Sequence, residues 1–361
     1  MSGKCDIAIY GLGVMGRSLA QNMIRQGMHV CVYSKNQEER QRFSGITGEP
    51  AVDSAANMVA ALKRPRKIFL MITAGPALDL VLEELLPLLD DGDTVIDGGN
   101  SHYEDTSRRC RICKVKGKHF VGVGVSGGEQ GALNGPSLMA GGSREGFEQC
   151  RDILQKISAS YEGVPCCDYI GPEGAGHYVK MVHNGIEYAM LQIIAEIYYL
   201  MRYGFKFSWE ETAALFESFK GSEVDSYLID ISVQVLKKRD KDGGPLVEKI
   251  LDAAEQKGTG RWTLEEGIKR AVYMPTIYEA VAARNFSAQG EMRRWGNQVL
   301  GTKSTQIKLE EPQQILSKAL AFGMLACYSQ GFELIRRASD DLQWDIIVNK
   351  LEKRSTRHHQ K

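Results

Sequence analysis

Apolar positions follow two regimes along the chain. In the first half, short apolar runs alternate with segments whose apolar residues recur at helical spacing. The runs are Asp6–Tyr10, Val30–Tyr33, Lys67–Ile72, Asp93–Asp97 and His119–Val125. Such runs read as buried strands, and the periodic segments between them as helices. Between the first two runs, Arg17–Gln26 places Leu19, Ala20, Met23 and Ile24 on one face, with Gly27 as its stop. After Pro76, Leu78, Leu82, Leu85 and Leu86 mark another helix. This alternation predicts a mostly parallel sheet with right-handed crossovers.

From Gly176 onward only helical periodicity remains. Helices are predicted over His177–Tyr203, Trp209–Lys220, Val224–Lys238, Pro245–Gln256, Leu264–Ala283 and Pro312–Ala338, with a short one after them. The expected organisation is an α/β domain over residues 1–173, an all-α domain over 174–345, and a basic tail over 346–361 that reads as disordered.

The most informative stretch runs from Gly174 to Tyr188. Lys180, His183, Asn184 and Glu187 are spaced so that they share one helical face. Around them lie Val179, Met181, Val182, Ile186, Ala189, Met190 and Leu191. A narrow polar stripe on a mostly apolar rod predicts a buried helix whose stripe faces a pocket or satisfied partners. A lysine and a carboxylate so placed suit a reaction that takes up one proton and returns another. A buried Lys–Glu pair that only braces the core has the same spacing, so spacing alone leaves both readings open.

Gly11-Leu12-Gly13-Val14-Met15-Gly16 lies between the first strand and its helix. In that setting the glycines permit a tight turn, and a pyrophosphate can rest on the helix N-terminus. The sheet is therefore expected to be of the doubly wound Rossmann type. An NAD site places an acid at the end of the second strand. Here Ser34-Lys35-Asn36 follows, with no acid and with a cation, which favours the 2′-phosphate of NADP. A lysine there that is merely solvated would leave the preference undecided. Ligands bind beyond the carboxyl ends of such strands. Ile72-Thr73-Ala74, Asn100 and Ser126-Gly127-Gly128 stand at those ends. The loop Gln256–Trp262 combines glycines, Thr259, Lys257 and Arg261, as anion-binding loops do, although a solvated connection has the same composition.

Composition narrows the class. Lysine plus arginine balances aspartate plus glutamate at 45 each, which argues against a general nucleic-acid binder. No run approaches a membrane span, and the N-terminus leads straight into a strand. The eight cysteines, with one isolated Cys110-x-x-Cys113, read as reduced thiols of a cytoplasmic protein rather than as a zinc site.

Together these words resemble the decarboxylating 6-phosphogluconate dehydrogenases of the pentose phosphate pathway. The resemblance rests on the glycine turn, Ile96–His102, Gly124–Glu129, Lys180–Tyr188 and Gln256–Gly260, and runs to about Trp344. It implies oxidative decarboxylation of 6-phosphogluconate to ribulose 5-phosphate by a homodimer, with NADP and no metal. It implies that Gly11–Gly16, Ser34–Asn36 and Ile72–Ala74 hold NADP, and that Asn100 lies between cofactor and substrate. Ser126, Gly127, Gly128, His183 and Asn184 would bind the sugar acid. Tyr188, Lys257, Thr259 and Arg284 would face its phosphate, with Lys180 as general base and Glu187 as general acid. A free lysine, with a pKa of about 10.4, is a poor base at neutral pH, and burial lowers it.

The chain departs from the family in places. Ser34-Lys35-Asn36 replaces Asn-Arg-Thr, Thr73 replaces a lysine, and Phe219-Lys220 replaces Trp-Asn. Beyond Trp344-Asp345 the family continues through helices and a tail that supplies an arginine and a histidine to the partner's substrate site. This chain instead runs into a short basic end, Arg357–Lys361. Two other readings follow: a shortened, catalytically impaired relative that binds nucleotide or partners, or a related β-hydroxyacid dehydrogenase. The Lys180–Glu187 stripe argues against the former, and the Lys257 loop against the latter.

Overall fold

The computed structural model describes residues 4–254, 258–301, 306–308 and 310–346. The chain forms two compact units. One runs through Lys180 and includes the stretch beginning at Leu342; the other runs from Met181 to Asp341.

The first unit is built on one sheet. Its strands are β1 (Ile7–Tyr10), β2 (Val30–Tyr33), β3 (Lys67–Leu70), β4 (Thr94–Asp97), β5 (His119–Ser126) and β6 (Ser137–Gly142). A two-residue hairpin, β7 (Ser160–Tyr161) and β8 (Val164–Pro165), precedes β9 (Cys167–Gly171). The order across the sheet is β2-β1-β3-β4-β5-β6-β9. Every pair is parallel except β5 with β6. The helices are α1 (Val14–Arg25), α2 (Gln37–Thr47), α3 (Ala55–Ala60), α4 (Pro76–Leu85), α5 (Tyr103–Val115), α6 (Gly128–Asn134) and α7 (Arg144–Ile157).

Side chains alternate across a strand, so each strand feeds two cores. Ile7, Ile9, Val32, Phe69, Ile96, Val121 and Val123 pack on one side with α1 and α7 residues. Ala8, Tyr10, Cys31, Ile68, Leu70, Val95 and Phe120 pack on the other with Leu78, Leu82 and Leu85. The unbroken apolar strands of the sequence thus reflect a sheet covered on both faces. Arg109 of α5 is fully buried, with its guanidinium on Asp79 and on the Gly75 carbonyl. That guanidinium beside Asp79 holds its carboxyl down to about 2.

The second unit is helical. Its elements are α8 (Ala175–Tyr199), α9 (Trp209–Ser218), α10 (Tyr227–Lys237), α11 (Thr259–Lys269), α12 (Pro275–Ser287), α13 (Gly290–Leu300) and α14 (Pro312–Leu342). The helix α8 starts in the first unit and continues into the second.

Three expectations need correction. Of the helix expected over 245–256, the described residues 245–254 hold a single 3-10 turn, Leu246–Lys249. Its apolar residues find no core: Ile250 and Leu251 are 57% and 79% exposed. Short helices depend on burying an apolar face. The helix expected over 264–283 is two helices, because Pro275 supplies no amide hydrogen and restricts Met274 before it, while Ala271 adopts a φ of 52°. The helix α13 lies outside the expected elements; Met292, Trp295 and Val299 recur on one face of it but are exposed and cover no core. Lys257 and the tail from residue 347 lie outside the described residues.

Candidate active site

The glycine turn follows β1 at the carboxyl edge of the sheet. Gly11 has a φ of 101°, and a Cβ there would lie 2.4 Å from the Met71 carbonyl oxygen. A Cβ on Gly16 would meet the Gly11 carbonyl at 2.0 Å. Both positions therefore exclude any side chain. Gly13 is different: around its Cβ position only a Glu39 carboxyl oxygen comes within 4 Å, at 3.9 Å. Gly13 caps α1 with no side-chain hydrogen bond. The first amides of α1 are thus left without a side-chain acceptor, on an open glycine surface. A pyrophosphate fits this arrangement, since it supplies acceptors and takes the positive end of the helix dipole. Leu12 is buried, Met15 is half-buried, and Val14 is half-exposed beside the turn.

The end of β2 is more elaborate than its sequence suggests. Ser34 is buried, and its hydroxyl donates to the Glu39 carboxylate at 2.6 Å. Lys35 pairs with Glu84 of α4 at 2.9 Å. Asn36 caps α2 by accepting from the Glu38 amide. The strand end lacks an acid in sequence, but α2 brings one back in space. Ile72 and Ala74 are half-buried after β3, and Thr73 is exposed.

Beyond β4, Asp97 organises the next loop. It is fully buried and accepts from the Gly99 amide at 2.9 Å and the Ser101 hydroxyl at 2.6 Å. Asn100, between these anchors, is exposed. Asp97 was not singled out by sequence reasoning, although an acid ending a strand before two glycines is a usable signal for such a turn.

Lys180 packs directly on β5. A Cβ on Gly124 would lie 2.3 Å from Lys180 Cβ and 2.8 Å from its Cγ. Gly124 is therefore what lets the lysine stem lie against the strand, two residues before Ser126. Lys180 is 8% exposed. Ser126 is buried, Gly127 half-buried and Gly128 exposed at the start of α6. One turn before Lys180 on α8, His177 is buried with Nδ1 2.7 Å from the Thr106 hydroxyl. Burial pushes its pKa down, so the imidazole is neutral.

In the second unit the remaining stripe of α8 meets α11 and α12. Asn184 donates to the Thr259 hydroxyl at 3.1 Å, and Thr259 opens α11. Buried His183 has Nδ1 3.8 Å from a Glu187 carboxyl oxygen, and Glu187 is half-buried. The Arg284 guanidinium lies over the Tyr188 ring at 3.6 Å. A cation on an aromatic face is held in place without losing its charge. Of the residues expected at the site, Asn184 with Thr259, His183 with Glu187, and Tyr188 with Arg284 are thus brought together in this unit.

Comparison with known proteins decides the family. Residues 6–171 match the profile of the NAD binding domain of 6-phosphogluconate dehydrogenase, and residues 176–354 match that of its C-terminal domain. The chain belongs to the 6-phosphogluconate dehydrogenase family. It is 46% identical over 353 residues to the decarboxylating 6-phosphogluconate dehydrogenase of Haemophilus influenzae, covering 96% of this chain and 73% of that protein. It is 43% identical over 349 residues to the NAD(+)-dependent, decarboxylating enzyme of Bacillus subtilis, covering 94% and 74%. The Plasmodium falciparum 6-phosphogluconate dehydrogenase, solved in apo form, with NADP+ and with 6-phosphogluconate, superposes with a TM-score of 0.93. It is 35% identical, and the match covers 97% of this chain and 77% of that one. As in this family, a parallel Rossmann-like domain precedes a helical one.

Proposed function

We propose that the chain oxidises and decarboxylates 6-phosphogluconate to ribulose 5-phosphate and carbon dioxide, reducing NADP to NADPH. The observation that carries the reading is Lys180. It is a buried amine whose stem lies on a strand glycine near Ser126, on the helix that also bears Glu187.

Bound NADP supplies the hydride acceptor. The first amides of α1 and the open face of Gly13 would hold its pyrophosphate. Asn100, displayed by the Asp97 turn, would lie between cofactor and substrate. Lys180 accepts the proton of the substrate 3-hydroxyl as C3 is oxidised. The resulting β-keto acid loses its carboxylate as carbon dioxide, and its carbonyl takes up the electron pair. Protonated Lys180 stabilises the enol oxygen that forms. Glu187 lies seven residues further on, about 10 Å along the axis of α8. It donates a proton to C1 of the product. Ser126, Gly127, Gly128, His183 and Asn184 bind the sugar-acid portion. Thr259, Tyr188 and Arg284 take the phosphate, and the family resemblance adds Lys257 to them.

We also infer a cytoplasmic homodimer. No helix among the described residues is long and apolar enough to cross a membrane. Met292, Trp295 and Val299 of α13 and Phe322 and Leu325 of α14 are more than half exposed, as surfaces awaiting a partner are.

The test is absorbance in the NADPH band. Signal is expected with 6-phosphogluconate and NADP, and none with a short β-hydroxy acid. Turnover of the short acid in place of 6-phosphogluconate would overturn the substrate reading. Silence with both, alongside measurable nucleotide binding, would show a chain that binds without catalysing.

A further inference from the structure

We propose that Glu39 is a cofactor-discriminating residue, and that it lets the site accept NAD alongside NADP. The inference rests on the nucleotide-binding reading above and concerns the ribose end of that site.

In a Rossmann unit the end of the second strand meets the ribose. An acid there accepts from a 2′-hydroxyl, whereas a cation accommodates a 2′-phosphate. By sequence, this strand end carries Ser34, Lys35 and Asn36 and no acid. In the fold, the first turns of α2 return past the strand end. There the Glu39 carboxylate takes the Ser34 hydroxyl at 2.6 Å. Its other oxygen is the atom nearest the open face of Gly13, at 3.9 Å from the Cβ position. The same carboxylate therefore bonds the strand end and faces the glycine turn, the two features that flank a bound adenosine ribose.

The cations nearby are otherwise engaged. Lys35 lies against Glu84, which also accepts from the Tyr10 hydroxyl at 3.2 Å. Arg40 donates to the Ser34 carbonyl at 2.5 Å and to the Lys35 carbonyl at 3.4 Å. Its charge stays close to the strand end and supports a 2′-phosphate. Glu39 opposes it: a doubly charged phosphate beside a carboxylate is repelled, while a 2′-hydroxyl can donate to it. The two neighbours on α2 thus pull in opposite directions, and discrimination between the nucleotides is weak.

Binding, without turnover, tests this. Titrations with 2′,5′-ADP and 5′-AMP, and with NADP and NAD, give an affinity ratio for the presence of the 2′-phosphate. Wild-type protein is expected to show a ratio within about tenfold of one. Glu39→Gln should raise that ratio by about tenfold, the scale of one like-charge contact in a partly exposed site. Glutamine keeps the acceptor for Ser34, so the turn is preserved. Glu38→Gln removes the same charge from an exposed neighbour and should leave the ratio unchanged. An unchanged ratio in Glu39→Gln, or an equal rise in both variants, would overturn the role of Glu39. Failure of wild-type protein to bind any of the four nucleotides would overturn the nucleotide site itself, and this proposal with it.

Discussion

Lys180→Met is expected to lower turnover of 6-phosphogluconate by about a thousandfold, the range of a lost general base. Nucleotide affinity should change by less than about twofold. Methionine matches the lysine stem in length and shape, so the packing against Gly124 survives. What would disappear is the amine proposed to take the 3-hydroxyl proton and later steady the enol oxygen. The glycine turn and the strand ends that would hold NADP do not include Lys180. Steady-state absorbance and a nucleotide titration on the same sample check both halves. Near-normal turnover would remove Lys180 from the chemistry. A large loss of nucleotide affinity would make it a cofactor ligand instead.

A second large effect is expected from a residue outside the assigned binding and catalytic groups. In Gly124→Ala the new methyl group would sit 2.3 Å from Lys180 Cβ and 2.8 Å from Cγ. Lys180 Cβ is fixed by the helix backbone, so a change of rotamer can relocate Cγ but cannot move Cβ clear. Either α8 lifts from β5 or the lysine is displaced. Displacement of a reacting group by about 1 Å costs on the order of a hundredfold in rate. Overpacking of this kind costs about 1–3 kcal/mol of stability. Denaturant unfolding reads the second effect, and turnover under conditions where the variant stays folded reads the first. Wild-type turnover with unchanged stability would show that the close approach is incidental.

How much of this was legible beforehand varies by element. The five parallel strands and the glycine turn could be read because a sheet covered on both faces leaves unbroken apolar runs. The polar stripe of α8 was legible from helical spacing. Gly124 was not singled out, because its requirement comes from a helix some fifty residues away in sequence. Glu39 was hidden for a related reason. The strand end was read from its own residues, whereas the acid arrives from the following helix. The 245–256 segment carries an amphipathic pattern, but its described residues, 245–254, have no core to cover them, and pattern alone does not reveal that. Pro275 signals its helix break locally, and the continuous apolar spacing across it masked that signal.

In the proposed mechanism, groups on one face of α8 move both protons. Running the reaction in D2O and examining C1 of the ribulose 5-phosphate by NMR tests this most directly. If Glu187 delivers the proton, wild-type product carries one deuterium in a single configuration. Product from Glu187→Gln then forms slowly and as a mixture of both. A mixture from the wild-type enzyme, or an unchanged single configuration from Glu187→Gln, would contradict the account.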